Sequence, residues 1–157
     1  MSSSKALQDL IPHGYPIRGC FGCGADNAHG LQIKSHLEGD EGVATWKARP
    51  HHQSFTGFLN GGIAATLIDC HSAVTAIALH CQETGLDLEG ETAEFPDGWT
   101  KTITIDYVRP TPLEAELTIR ARVIKRGKKS RTVACSIYAD GQESVRAEVV
   151  VVIPSLG

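Results

Sequence analysis

The sequence predicts an α+β domain in which one long helix is wrapped by a curved antiparallel sheet. Three observations lead there. A single segment near the middle carries a helical period over about twenty residues. Most of the remainder alternates apolar and polar residues as half-buried strands do. The order is two short strands, the helix, then a run of strands joined by hairpins, and a lone helix needs an apolar surface to cover.

The helix is predicted from Asn60-Gly61-Gly62 to about Cys81. Asn60 suits the N-cap, where its side-chain oxygen can accept a free amide of the first turn. Ile63, Leu67, Val74 and Ala78 form the bulky stripe. At about 100° per residue Asp69 points away from it, among Ala65, Ala73 and Ala76, small residues that let another element come close.

Two short strands precede the helix, Leu31–Leu37 and Val43–Ala48, joined by Gly39-Asp40-Glu41-Gly42. After it come Thr100–Arg109, Glu116–Lys125, Arg131–Ala139 and Ser144–Ile153. The turns at Gly127-Lys128-Lys129 and Asp140-Gly141-Gln142 join the last three as hairpins. The run Val149–Ile153 is apolar throughout, so burial on both faces is expected there. Gln82–Gly98, with Glu83, Asp87, Glu89, Glu91, Glu94 and Asp97, reads as a solvated acidic loop. Residues 1–29 read as an irregular arm with one helical turn near Leu7–Ile11, and residues 30–157 as a single domain.

The chain has 157 residues, 41% of them hydrophobic and 21% charged, ordinary for one globular domain. A net charge of −3 does not suit a nucleic-acid binder, whose basic footprint would show. No apolar run approaches the roughly 20 residues that cross a bilayer, so no membrane partner is expected. Met1-Ser2-Ser3-Ser4-Lys5 lacks the apolar core of a secretory signal. The five cysteines are irregularly spaced, which favours reduced thiols and a cytoplasmic location.

The chemistry is concentrated in Gly57-x-x-Asn60-Gly61-Gly62 and Asp69. Glycines at a helix start let a ligand approach the backbone, and the free amides there favour a developing negative charge. An oxyanion hole requires this, and a thioester carbonyl turning tetrahedral presents such a charge. Asp69, the one acid inside the helix, is the matching base or nucleophile. Eight residues separate Gly61 from Asp69, about 12 Å along one helix. One small carbonyl therefore cannot touch both in the same chain. It can if Asp69 of one subunit faces the glycine amides of another.

Phe58-Leu59-Asn60-Gly61-Gly62-Ile63-Ala64-Ala65-Thr66-Leu67-Ile68-Asp69 resembles the "HGG…ATLxD" helix entry of the PaaI-like hotdog acyl-CoA thioesterases. Cys20-Phe21-Gly22-Cys23-Gly24-Ala25-Asp26-Asn27-Ala28-His29-Gly30-Leu31 is similar to the "CFxCGxxNxxGL" segment of one branch, and Ile103–Pro110 to its strand after the helix. The resemblance covers about residues 20–153. It implies a hotdog fold, hydrolysis of an acyl-CoA, and a site shared between subunits of a homodimer or a dimer of dimers. It implies Asp69 as general base or nucleophile and the Gly61 amide as carbonyl-polarising donor, helped by Gly62. Thr100, seven residues before Tyr107, is implied as a helper beside Asp69. Two positions depart from the family pattern. Asn60 replaces the usual His, and Ser54 stands where Asn or Gln is common. Asn can donate a hydrogen bond but cannot titrate near neutral pH. A non-catalytic acyl-CoA binding or sensing protein is therefore the alternative reading.

Lys125-Arg126-Gly127-Lys128-Lys129-Ser130-Arg131 is a basic hairpin that could hold the phosphates of coenzyme A, which enters as part of the substrate and not as a cofactor. The alternative is a solvated turn. Cys20-x-x-Cys23 could be half a zinc site completed by His29 or His36, but a second ligand pair is missing, so no metal is expected and the pair reads as a tight turn. His51-His52 read as bystanders, and His71 as packed against the sheet.

Overall fold

The computed structural model describes residues 5–89 and 94–155; Glu91 of the acidic segment and the serines at the N-terminus lie outside these. A short helix α1 (Leu7–Leu10) precedes strands β1 (Ser35–Glu38) and β2 (Glu41–Lys47). Helix α2 (Gly61–Thr84) follows, then β3 (Trp99–Tyr107), β4 (Glu116–Arg126), β5 (Ser130–Ala139) and β6 (Gln142–Val152). All six strands form one antiparallel sheet in the order β1-β2-β4-β5-β6-β3.

Alternation decides which face of the sheet meets α2. Leu117, Ile119 and Ala121 of β4, Val133, Cys135 and Ile137 of β5, and Val145, Ala147, Val149 and Val151 of β6 are buried with Leu67, Ile68, Val74 and Ile77 of the helix. Bulges between Thr100 and Thr102, Val123 and Lys125, and Ile137 and Tyr138 bend the strands, so the sheet curves around the helix. Helix and sheet pack tightly at Gly42, where a Cβ would stand 2.0 Å from the Thr75 hydroxyl.

Several expectations change in detail. The helix runs on to Thr84 and ends on Gly85, whose φ of 74° is a left-handed cap. At 24 residues, with an 18-residue window of mean hydropathy 1.5, it is long and apolar enough to cross a bilayer, but it packs on the sheet and 61% of that window is buried. Ala76 turns into the core rather than sharing the face of Asp69. Val150 and Val152 are only half-buried, so the final apolar run is not buried on both faces. The acidic segment is not wholly solvated: Phe95 is buried, and Gly98 packs on Ile77.

The arm is packed, too. Leu7, Ile11 and Cys23 belong to the same core as the sheet and α2. Arg18, 8% exposed, grips both Asp26 carboxylate oxygens at 2.8 and 2.9 Å and donates to the Ile11 carbonyl at 2.6 Å. Gln8 donates to the Ser35 hydroxyl at 2.9 Å, which donates to His71 Nδ1 at 2.7 Å. His71 Nε2 donates to the Gly42 carbonyl at 2.9 Å, which sets the neutral Nε2–H tautomer.

Candidate active site

The start of α2 carries the first half of the site. Asn60 is the cap: its Oδ1 accepts from Gly62 N at 2.8 Å and from Ile63 N at 3.2 Å. With the oxygen committed, its Nδ2 is the outward donor. The Gly62 amide is thereby occupied, which corrects its expected role beside Gly61. The Gly61 amide has no acceptor among the described residues and remains the free donor of the first turn. Tyr107 donates its hydroxyl to the Gly61 carbonyl at 2.8 Å, orienting that peptide from the far end of β3. Gly61, Ser54, Phe55, Phe58, Tyr107 and Arg109 line a cleft of about 380 Å³. Ser54 thus lies in the same cleft as Gly61. The role of Tyr107 was not foreseen, because the sequence shows only a strand residue of inward parity.

The second half lies two turns along α2. Thr100 donates to Asp69 Oδ1 at 2.6 Å. Asp69 Oδ2 has no partner among the described residues, so one carboxylate oxygen is held and the other is free to act. Asp69 and Thr100 share a second cleft, of about 160 Å³, with Cys20, Cys23, Cys70 and Trp99. Asp69 is half-buried on the face formed with Ala65 and Ala73.

The halves do not meet within one chain. Thr100 and Tyr107 stand near opposite ends of β3, seven residues and about 23 Å apart. Strand β3 is an edge: among the described residues it pairs β6 on one side and no strand on the other. Even its inward residues Ile103 and Ile105 are only half-buried, while Trp99 and Tyr107 are each 54% exposed.

The basic hairpin sits at the Thr100 end of the sheet, because Ser130 and Trp99 both pair with Val152. Lys125, Lys128 and Lys129 are exposed. Arg126, also exposed, pairs with Glu83 at the end of α2 at 2.5 Å. His52 is also structural, its Nδ1 accepting from the Arg49 amide at 2.9 Å and its ring 5.2 Å from that of Trp46.

Among the described residues, neither His29 nor His36 joins Cys20 and Cys23 in a group of ligand atoms within 4.8 Å of one another. Cys70, from α2, does. Cys20 Sγ lies 3.7 Å from Cys70 Sγ, and the three sulfurs of Cys20, Cys23 and Cys70 lie within 4.8 Å of one another. Hydrogen bonds from its two sulfur neighbours and from the Gly22 and Cys23 amides hold the Cys20 thiol far below its usual range, while sharing with Cys20 and burial push Cys23 up to about 12 and Cys70 upward. Sequence spacing could not reveal Cys70 as the third member, since it stands 50 residues from Cys20 and next to the acid.

A central helix wrapped by a six-stranded antiparallel sheet, with a glycine-opened helix start and a threonine-held acid, defines a hotdog thioesterase fold. The sequence profile of the thioesterase superfamily matches residues 56–146, and the chain belongs to that superfamily. Acyl-coenzyme A thioesterase 13 of Mus musculus is 29% identical over 86 residues, 55% of this chain and 52% of that protein. The chain therefore spans about half the length of the curated relatives it matches. A thioesterase superfamily protein from Shewanella loihica superposes with a TM-score of 0.62 at 27% identity, over 80% of this chain and 94% of its own. A hypothetical thioesterase from Streptococcus pneumoniae, solved with coenzyme A, shares the fold at a TM-score of 0.61 and 21% identity, over 75% of this chain and 84% of its own.

Proposed function

We propose that the protein hydrolyses an acyl-CoA thioester at a centre completed by two copies of the chain. One observation carries this reading: the two chemical halves sit near opposite ends of an unpaired edge strand. Two-fold antiparallel pairing of β3 with its copy sets the Thr100 end of one strand beside the Tyr107 end of the other. Asp69 of one subunit then faces the Gly61 amide of its partner, and the pair makes two such centres.

The chemistry follows from the groups. The free oxygen of Asp69 takes a proton from water as the water oxygen bonds to the thioester carbonyl carbon. The carbonyl oxygen becomes an oxyanion and accepts from the Gly61 amide, aided by the α2 dipole and by Asn60 Nδ2. The C–S bond then breaks. Coenzyme A leaves as a thiolate that takes up the proton, and the acyl group leaves as a carboxylic acid. Thr100 fixes the acid. Lys125, Lys128 and Lys129 supply charge for the coenzyme A phosphates. The coenzyme A bound by the streptococcal protein of the same fold supports this substrate class. All five cysteines are free thiols, which supports a cytoplasmic setting.

The test is a panel of short, long and aromatic acyl-CoAs with detection of released thiol. At least one substrate should turn over, and Asp69→Ala should lower kcat by about a hundredfold or more. No turnover with any acyl group, alongside binding of the same compounds, would replace hydrolysis with the sensing role.

A further inference from the structure

We propose that Cys20, Cys23 and Cys70 form a three-thiolate site for a tetrahedral, thiophilic divalent cation, with zinc the best fit. Four features on three parts of the chain converge on it, and none depends on the thioesterase reading.

The first is distance. A tetrahedral ion with zinc–sulfur bonds of about 2.3 Å holds its sulfurs about 3.8 Å apart. Cys20 and Cys70 are already at 3.7 Å, and no pair among the three exceeds 4.8 Å. A disulfide would use two of these sulfurs and leave the third in contact with it.

The second is the turn. The turn is tight, and its two cysteines put both sulfurs on the side that meets Cys70. The Gly24 amide closes the turn on the Cys20 carbonyl at 2.9 Å. A Cβ on Gly24 would stand 2.4 Å from both the Arg18 carbonyl and the Cys20 nitrogen, so the turn demands glycine. Unlike a redox CxxC, this one does not open a helix.

The third is the fit of turn to helix. A Cβ on Gly22 would lie 2.3 Å from Cys70 Sγ. The missing side chain lets the turn press on α2 where Cys70 projects. The fourth is rigidity beneath the turn. Arg18 and Asp26 clamp its base, and the Leu31 and Ile33 amides donate to the Phe21 and Gly22 carbonyls at 2.7 and 3.2 Å. A site held on both sides needs little reorganisation to accept an ion.

Three thiolates leave one coordination position. The three cysteines line the same cleft as Asp69 and Thr100. The site thus staples the arm to α2 one residue from the acid.

The full-length chain, reduced and stripped with a chelator, should be titrated with cobalt(II). Expected are a sulfur-to-metal charge-transfer band and tetrahedral d–d absorption saturating at one ion per chain, both abolished by one equivalent of zinc. Cys23→Ser and Cys70→Ser should lose the charge-transfer intensity; Cys81→Ala should keep it. A second measurement needs no variant: zinc should protect Cys20, Cys23 and Cys70 of the native chain from alkylation, read by peptide mass spectrometry. Absence of a saturable thiolate band would overturn the site. So would unchanged alkylation with zinc, or a Cys20 disulfide in a protein that takes up no metal after reduction.

Discussion

His71 gives the protein a calculable sensitivity to acid. The ring is fully buried, and both nitrogens are committed, one to the Gly42 carbonyl and one to the Ser35 hydroxyl. Burial pushes its pKa from 6.5 down to about 4. The unfolded chain therefore binds a proton in the window between pH 6.5 and 4 that the folded chain refuses, so stability falls as pH falls through that window. Above pH 6.5 the contribution is fully present. Across the window it amounts to about 3 kcal/mol, a large share of an ordinary domain's stability. Urea unfolding at several pH values checks this, comparing the wild type with His71→Gln, whose amide can still donate to Gly42. The paired carboxylates Asp26, Glu41, Glu83 and Glu143 are held below their usual range, and their losses are common to both proteins. The variant should be less stable at pH 7 and should lose most of the wild type's slope between pH 6.5 and 4. Equal slopes, or a His71 ring that titrates near pH 6.5 in the folded protein by NMR, would refute the reasoning.

Two further substitutions separate structural from chemical roles. Asn60→Asp keeps an oxygen for the Gly62 and Ile63 amides but removes the Nδ2 donor, so thermal unfolding should change little while kcat falls at least about tenfold; Asn60→Ala should also cost about 1 kcal/mol of stability. Gly42→Ala places a methyl against the fully buried Thr75, a β-branched side chain with little room to turn, and should destabilise the fold by about 2 kcal/mol in urea titrations.

Local patterns made the scaffold legible. The period of α2, the alternation along β4 and β5, and the turns at Gly127 and Gly141 are properties of neighbouring residues, and the sequence displays them directly. The Asn60 cap was readable for the same reason. The pairing of Thr100 with Asp69 came only from likeness to a family, because nothing local joins residues 31 apart. Cys70 meeting Cys20, and Tyr107 reaching Gly61, were not readable at all. Each depends on how a sheet edge or an arm lies across the helix, which periodicity does not encode. Phe95 was missed because a run of acidic residues hid one apolar anchor. The helix end was placed early at Cys81, although Gly85 is the kind of residue on which helices stop.

The edge strand also bears on how this protein can change over generations. Under the proposed two-fold pairing, a segment that joins its own antiparallel copy is inherited once but used twice, so any altered residue along it reaches both reaction centres at the same moment. Gradual tinkering with one centre while its twin stays intact is closed to such a chain until the gene is duplicated and the copies diverge.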